Sequence, residues 1–361
     1  MRFRHLCVLL VLLGVTPSLF ADGTIRYTSS VKYGPVVAAI ASLSKTPMNL
    51  TLPAPTSRTM HLKNGKMQQD GGLFTGIFDS KNAQITLIDP KRKMFATASE
   101  ADFVGQLLAS LPARPPVPPQ AQMFLESMTM TYASQKTGRT GMTLGLQTEE
   151  TEMTLSLNTP LPPAMLALLP NASLRPGAPV TVLKMVIHIW YPTQAEVARV
   201  PALGEFTSFW SDETSMNADV TSLMAAMQKL LGKYPGLGSG LTAMTEDTFK
   251  NRRVMLKADV ELYAPVMAQL APIMKTQRVP DFDLTAPVIE LSTEAVEISS
   301  APLDDSVFAV PSDYRATPFA DFLQGARPPV SARAGGTGGR LGPGTPSGPA
   351  DAEGLERLPF L

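Results

Sequence analysis

His61 and His188 are the two side chains in the body of the chain best suited to move a proton or hold a metal. Each sits in a segment that alternates as a strand does. Ile187 and Ile189 flank His188, so the imidazole faces the opposite side of the sheet from them. A metal centre needs several convergent ligands, and no His-Glu-x-x-His run is present. Both therefore read as strand histidines, with a histidine-based site as the competing reading. Asp304 and Asp305 could form an acid/base pair or a cation site, but adjacent residues in a turn point apart. Asp304-Asp305-Ser306 reads better as a turn made by side-chain bonds to its own backbone. Val307, Phe308 and Val310 then return toward the core before Pro311.

Three short runs resemble penicillin-binding motifs: Ser42-Leu-Ser-Lys45, Lys136-Thr-Gly138 and Ser211-Asp212. Their order is wrong, because Lys-Thr-Gly should come last. Glu213 stands where asparagine is required, and Ser-x-x-Lys recurs at Ser29 to Lys32. Gly236-Leu-Gly-Ser-Gly240 is neither a nucleophile elbow nor a dinucleotide loop. Leu237 occupies the first glycine of the elbow, and the run reads as a flexible helix end. The chain is thus expected not to be an enzyme. No catalytic, cofactor-binding or metal residue is assigned, no cofactor is expected, and the ligand-binding residues are left unknown.

Methionine is the unusual excess, at 19 residues. Flexible thioether side chains fill irregular cores and suit cavities for varied apolar ligands. They also bind copper in oxidising compartments, but Met128 and Met130 alone supply too few ligands. Core packing and an apolar cavity remain the two readings.

The elements that would position these groups are mostly strands. Alternation marks Thr24 to Tyr33, Thr59 to Met67 around an Asn64-Gly65 turn, Leu73 to Asp79, Gln84 to Ile88 and Lys93 to Thr97. It continues through Glu126 to Tyr132 (Met128 and Met130 on one face), an antiparallel pair of Met142 to Leu146 with Met153 to Leu157, and Val180 to Tyr191. Arg253 to Leu262 follows with one phase shift, and Ile289 to Ile298 closes the set. Helices are expected at Val36 to Leu43, from a Ser99 cap through Ala109, at Asp219 to Tyr234 and at Tyr263 to Lys275. The fold class is α+β: a curved antiparallel sheet with a few helices packed on its concave face. Pro112 to Pro119 reads as a stiff surface connection within one continuous sheet.

The ends set the compartment. Residues 1–21 read as a cleavable secretory signal: basic Arg2 and Arg4, an apolar run from Leu6 to Val15, and small residues before Asp22. The apolar run is short for a membrane span, which needs about 20 residues. Cys7 leaves with it, so disulfide, thiolate and cysteine-nucleophile chemistry are excluded from the mature chain. Cleavage leaves 29 basic against 31 acidic residues, which gives no electrostatic reason to expect nucleic acid. No transmembrane span is expected after cleavage. Residues 22–325 read as a single β-rich exported domain. Residues 326–361, with six prolines and eight glycines, read as a disordered tail.

Two stretches resemble an exported bacterial family of unknown function. The first is Met60-His-Leu-Lys-Asn-Gly-Lys-Met67 with Phe78-Asp79, Ile85-Thr-Leu-Ile-Asp89 and Lys93-Met94-Phe95. It is similar to that family's "Gly-Lys-Met-Arg", "Ile-Asp" and "Lys-Met-Tyr" strands. The second is Ala301-Pro-Leu-Asp-Asp-Ser-Val-Phe-Ala-Val-Pro311 with Tyr314, similar to its closing "Asp-Asp-Ser-Phe-x-x-Pro-x-x-Tyr". The resemblance implies an architecture like that of periplasmic lipoprotein carriers, a lipoprotein-sorting half-barrel holding lipid in its cavity. Pro192 to Met244 has no counterpart in the small carriers. The expectation is a non-catalytic periplasmic or extracellular protein that binds a lipid, a lipidated protein or another apolar ligand. The alternative is an envelope protein-interaction or structural module with no small-molecule ligand.

Overall fold

The computed structural model describes residues 22–35, 37, 54–72, 74–110, 119–160, 179–211, 235–268 and 283–325. Strands dominate: β1 (Gly23–Tyr33), β2 (Thr56–Lys63), β3 (Lys66–Asp70), β4 (Thr75–Asp79), β5 (Gln84–Asp89) and β6 (Met94–Ser99) precede the first helices. Long strands β7 (Thr129–Thr143), β8 (Leu146–Pro160) and β9 (Pro179–Pro192) follow, then β10 (Lys257–Tyr263), β11 (Ile289–Ser299) and β12 (Arg315–Ala316). All twelve join one curved, unclosed sheet in the order β12-β6-β5-β4-β3-β2-β1-β11-β10-β9-β8-β7. Every pairing is antiparallel except the short one of β12 with β6.

The helices among the described residues are α1 (Glu100–Ser110), α2 (Pro119–Ser127), α3 (Gln194–Arg199), α4 (Pro201–Ser211), α5 (Pro235–Lys250) and α6 (Phe319–Gly325). Local chemistry sets their ends. Ser99 Oγ accepts the Asp102 N–H at 3.1 Å at the start of α1. Thr193 caps α3, and Pro201 opens α4 where its missing N–H would have no partner anyway. The Asn64-Gly65 turn forms as expected, with φ of 54° and 79° at its two residues.

Strand register shows which side chains share a face, because paired residues point the same way. Gly23, Leu62, Met67, Phe78, Ile85 and Ala98 form one row across β1 to β6. Helices α1, α4 and α6 bury Phe103, Leu203, Phe206, Phe319 and Phe322 on this face. Leu203 and Phe206 of α4 lie against Ile25, Tyr27, Leu62 and Met67, and the ring of Phe206 leaves room only for a glycine at 23. Phe103, Phe319 and Phe322 cover Ile85, Leu87, Ala96 and Ala98. Phe78 touches both groups, which makes the core continuous.

Several sequence expectations change. Glu126 and Ser127 end α2, so the strand begins at Thr129 and Met128 lies outside it. Met142 to Leu146 is not one strand: Met142 and Thr143 end β7, Leu144-Gly145 is the hairpin turn and Leu146 begins β8, while the β7 partner of Met153 is Ser134. Strand β10 starts at Lys257, which removes the phase shift: Arg253 to Leu256 is an irregular approach to it. Tyr263 ends that strand, and residues 265–268 begin a helix. Gly236 to Gly240 is the first turn and a half of α5 rather than a flexible helix end. The reason is steric: a Cβ on Gly236 would sit 2.3 Å from Met128 O, and one on Gly240 would sit 2.5 Å from Met130 O. Two glycines four apart on one helix face let α5 press against the start of β7. The helix expected at Asp219 to Tyr234 and all but Pro35 and Val37 of the one around Val36 to Leu43 lie outside the described residues, as do the signal segment, the proline run from 112 to 118 and the tail.

Candidate functional site

The helix-bearing face continues past the core into the other half of the sheet. Tyr33, Ile289, Leu262, Met185, Leu155 and Tyr132 form one row across β1, β11, β10, β9, β8 and β7. Val31, Leu291, Val260, Ile187 and Met153 form the next. Met153 is buried and Leu291 is 36% exposed, while the others are half-buried. Six strands spaced about 4.8 Å apart make this strip roughly 25 Å wide. The core around α4 bounds it on one side, and α5 bounds it on the other.

Helix α5 is fixed at that boundary by Tyr132, whose hydroxyl donates to Asp247 Oδ2 at 2.5 Å. Burial, reinforced by this bond to a carboxylate, pushes the Tyr132 phenol up to about 12. The hydroxyl end is thereby tied to α5 while the ring stays in the apolar row.

The opposite face of the same strands is polar. Its best-connected group is Glu150 of β8, a carboxylate that is 2% exposed. Arg139 grips it through Nε and through Nη2, the latter at 2.6 Å. Thr137 Oγ1 donates to it at 2.6 Å, and His188 Nδ1 lies 3.0 Å away. Arg139 and Thr137 reach it because three residues, Thr137 to Arg139, bulge outward opposite Glu150. Glu150 was not singled out in sequence. Its alternation with Glu152 was visible, but its pairing with Trp190 and its closeness to His188 needed the register.

The structure separates the other candidates. Thr137 and Gly138 belong to that bulge while Lys136 pairs with Thr151, and Ser211 ends α4. Ser42, Lys45 and Asp212 lie outside the described residues. Ser29 hydrogen-bonds Thr293 across the sheet at 2.8 Å. His61 Nδ1 lies 3.0 Å from Thr24 Oγ1, its directly paired neighbour. The nearby Asp70 carboxylate takes Gln68 and Thr75 rather than the imidazole, so no carboxylate orients that pair for catalysis. Burial lowers the His61 pKa, a shift that Asp70 partly opposes. Among the described residues no three His, Asp or Glu side chains converge as a metal centre would require.

Asp304 does make the expected turn, accepting Ser306 N–H at 2.8 Å. Its neighbour Asp305 receives Lys63 at 2.9 Å, and Lys63 also donates to Leu303 O at 2.5 Å. Lys93 pairs with Asp313 at 2.7 Å, and β12 extends the sheet beside Met94 and Phe95. The two stretches that carry the family resemblance are therefore joined in space, as scaffold and not as a site.

No protein-family model and no curated protein sequence matches this chain. Among solved structures, PNGF-II in space group C2 aligns at 11% identity over 85% of this chain and 33% of its own, with a TM-score of 0.29. The chain spans about a third of that protein. A DUF1329 family protein from Desulfovibrio piger aligns at 7% identity over 84% of this chain and 95% of its own, with a TM-score of 0.20. Likenesses this weak carry no inference about fold or role. No helix among the described residues is long and apolar enough to cross a membrane.

Proposed function

We propose that this is a non-catalytic exported protein that holds an acyl chain, or another apolar group of similar shape, on the helix-bearing side of its curved sheet. The observation that carries this reading is the strip of half-buried apolar side chains between α4 and α5, which includes Ile187, Leu262 and Leu291. An apolar strip bounded by helices on the concave side of an open sheet is the shape that a lipid-holding half-barrel requires. Met153 and Met185 give it the adaptable surface that suits chains of varied length. The export reading of residues 1–21 and the family resemblance support the same role. A hydrolase would need a nucleophile, base and orienting carboxylate in line, and the Thr24–His61 pair lacks the third.

The test is native mass spectrometry of residues 22–361 purified without detergent from a bacterial periplasm. A discrete added mass of a lipid, lost on denaturation and reduced in Leu291→Lys, is the expected result. A bare mass, together with no uptake of fluorescent fatty acid, would remove the reading.

One observation favours the second reading, an envelope interaction module. Among the described residues β7 is the outermost strand, with no strand beyond it, and exposed apolar side chains flank both its ends. Met123 and Phe124 are 63% and 40% exposed, and Met142 and Leu144 are 67% and 46% exposed. Edges of this kind accept a strand from another chain. A stoichiometric protein partner in an envelope pull-down, lost on substitution in β7, would move the assignment there.

A further inference from the structure

On the face of the sheet opposite α1, α4, α5 and α6, a cavity of about 500 Å³ lies over β8, β9 and β10. Register fixes its floor as three rows: Glu152–His188–Asp259, Thr154–Val186–Glu261 and Ser156–Lys184–Tyr263. Val186, 7% exposed, is the centre of the floor. The chain after β10 and the segment before β11 raise walls over it, through Pro265 and Ala268 on one side and Leu284 and Thr285 on the other.

The charges around Val186 are arranged by sign. Glu152 and Glu261 stand on opposite sides of it, and Lys184 stands at the next position along β9. Lys184 makes no ion pair among the described residues. Glu261 is oriented by Tyr263, whose hydroxyl donates to Glu261 Oε2 at 2.5 Å. Glu152 accepts Gln135 at 3.3 Å. His188 is already engaged with Glu150. The open polar groups are thus two carboxylates able to take an ammonium and one ammonium able to take a carboxylate.

Lys184 and Glu261 are diagonal neighbours across β9 and β10, so their Cβ atoms lie about 7–8 Å apart and both side chains border one cavity. We propose that this cavity binds a small zwitterion of the amino-acid and short-peptide class, with its ammonium at Glu261 and Glu152 and its carboxylate at Lys184. A metal ion is the poorer fit: His188 is turned to Glu150, and among the described residues no three His, Asp or Glu side chains are grouped as a metal requires. The site is on the opposite face from the apolar strip and does not depend on the acyl-chain reading.

Isothermal titration calorimetry of residues 22–361 tests it with three ligands: Ala-Ala, N-acetyl-Ala-Ala and Ala-Ala amide. Ala-Ala binds saturably, and each capped form binds about tenfold more weakly or worse, since a charge-assisted bond is worth at least that factor. Lys184→Met brings Ala-Ala down to the level of its amide and leaves the amide unchanged. Glu261→Gln weakens Ala-Ala and leaves the N-acetyl form unchanged. Leu291→Lys keeps Ala-Ala binding, which separates this site from the apolar face. Capped forms that bind as tightly as Ala-Ala would overturn the proposal. So would no saturable heat with Ala-Ala up to about 10 mM, a concentration well above the millimolar range of weak specific sites. The wild-type ligand series decides the matter even if a variant fails to fold.

Discussion

Tyr132 of the outermost strand donates its hydroxyl to Asp247 of α5 at 2.5 Å, and that bond locks the helix to the free end of the sheet. Ser134 also hydrogen-bonds the same hydroxyl. Tyr132→Phe keeps the ring in the apolar row and removes the hydroxyl with both bonds. A net loss of about 1–2 kcal/mol is expected in urea unfolding, as for a hydrogen bond to a partly exposed charged group. Faster hydrogen exchange in residues 235–250 should accompany it, and unchanged exchange there would show that α5 is held by packing alone.

Alkali should loosen the same contact. Burial first, and then the bond to a carboxylate, push Tyr132 and Tyr263 up to about 12. In the unfolded chain a phenol loses its proton near pH 10. The unfolded state therefore binds fewer protons between those values, and stability falls as pH rises. The contribution is full below about pH 10 and gone above about pH 12. Chemical melts across this window should show a shallower decline in Tyr132→Phe than in the native sequence.

Gly240 is the position where α5 comes closest to β7. A methyl group there would meet Met130 O at 2.5 Å and Met130 C at 2.8 Å, both backbone atoms that cannot rotate away. Gly240→Ala is expected to destabilise by about 1–3 kcal/mol, although alanine is the better helix former. Gly238→Ala, which meets nothing within 4 Å, should be neutral or stabilising and serves as its control.

The same turn geometry occurs twice with different residues. Asn64-Gly65 has φ of 54° and 79°, and Leu144-Gly145 has φ of 52° and 74°. Asparagine tolerates the left-handed region, whereas leucine does so at a penalty of roughly 1 kcal/mol. Leu144 is also 46% exposed, so little packing offsets that strain. Leu144→Asn should raise the melting temperature by about 2 °C if the turn serves only the hairpin. A stabilised variant that no longer binds an envelope partner would show that the leucine is retained for contact.

Much of the sheet could be read in advance, because period-two alternation is local. β9 extends Val180 to Tyr191 by one residue at each end, and β11 begins at Ile289 and runs one residue past Ile298. Errors arose where tertiary contact overrode pattern. Glycines at 236, 238 and 240 argue against a helix by propensity, yet two of them are what lets α5 meet β7. Helix α4 was missed although Ala202, Leu203 and Phe206 repeat at helical spacing behind Pro201. It lay inside the stretch with no counterpart in the small carriers. The charged group around Glu150 was beyond reach for another reason. Arg139, Glu150 and His188 come from three strands, and only their register brings them together.

The central ladder joins β1 to β11, so Thr24 faces Ser299 in the middle of the sheet rather than at its rim. A ribosome must release nearly the whole domain before β1 has this neighbour. Loop closure across such a separation is slow, and the chain stays without its middle pair until then. Under the proposed export, that delay would keep the chain extended for passage through a secretion channel. The last strands to be made complete the first.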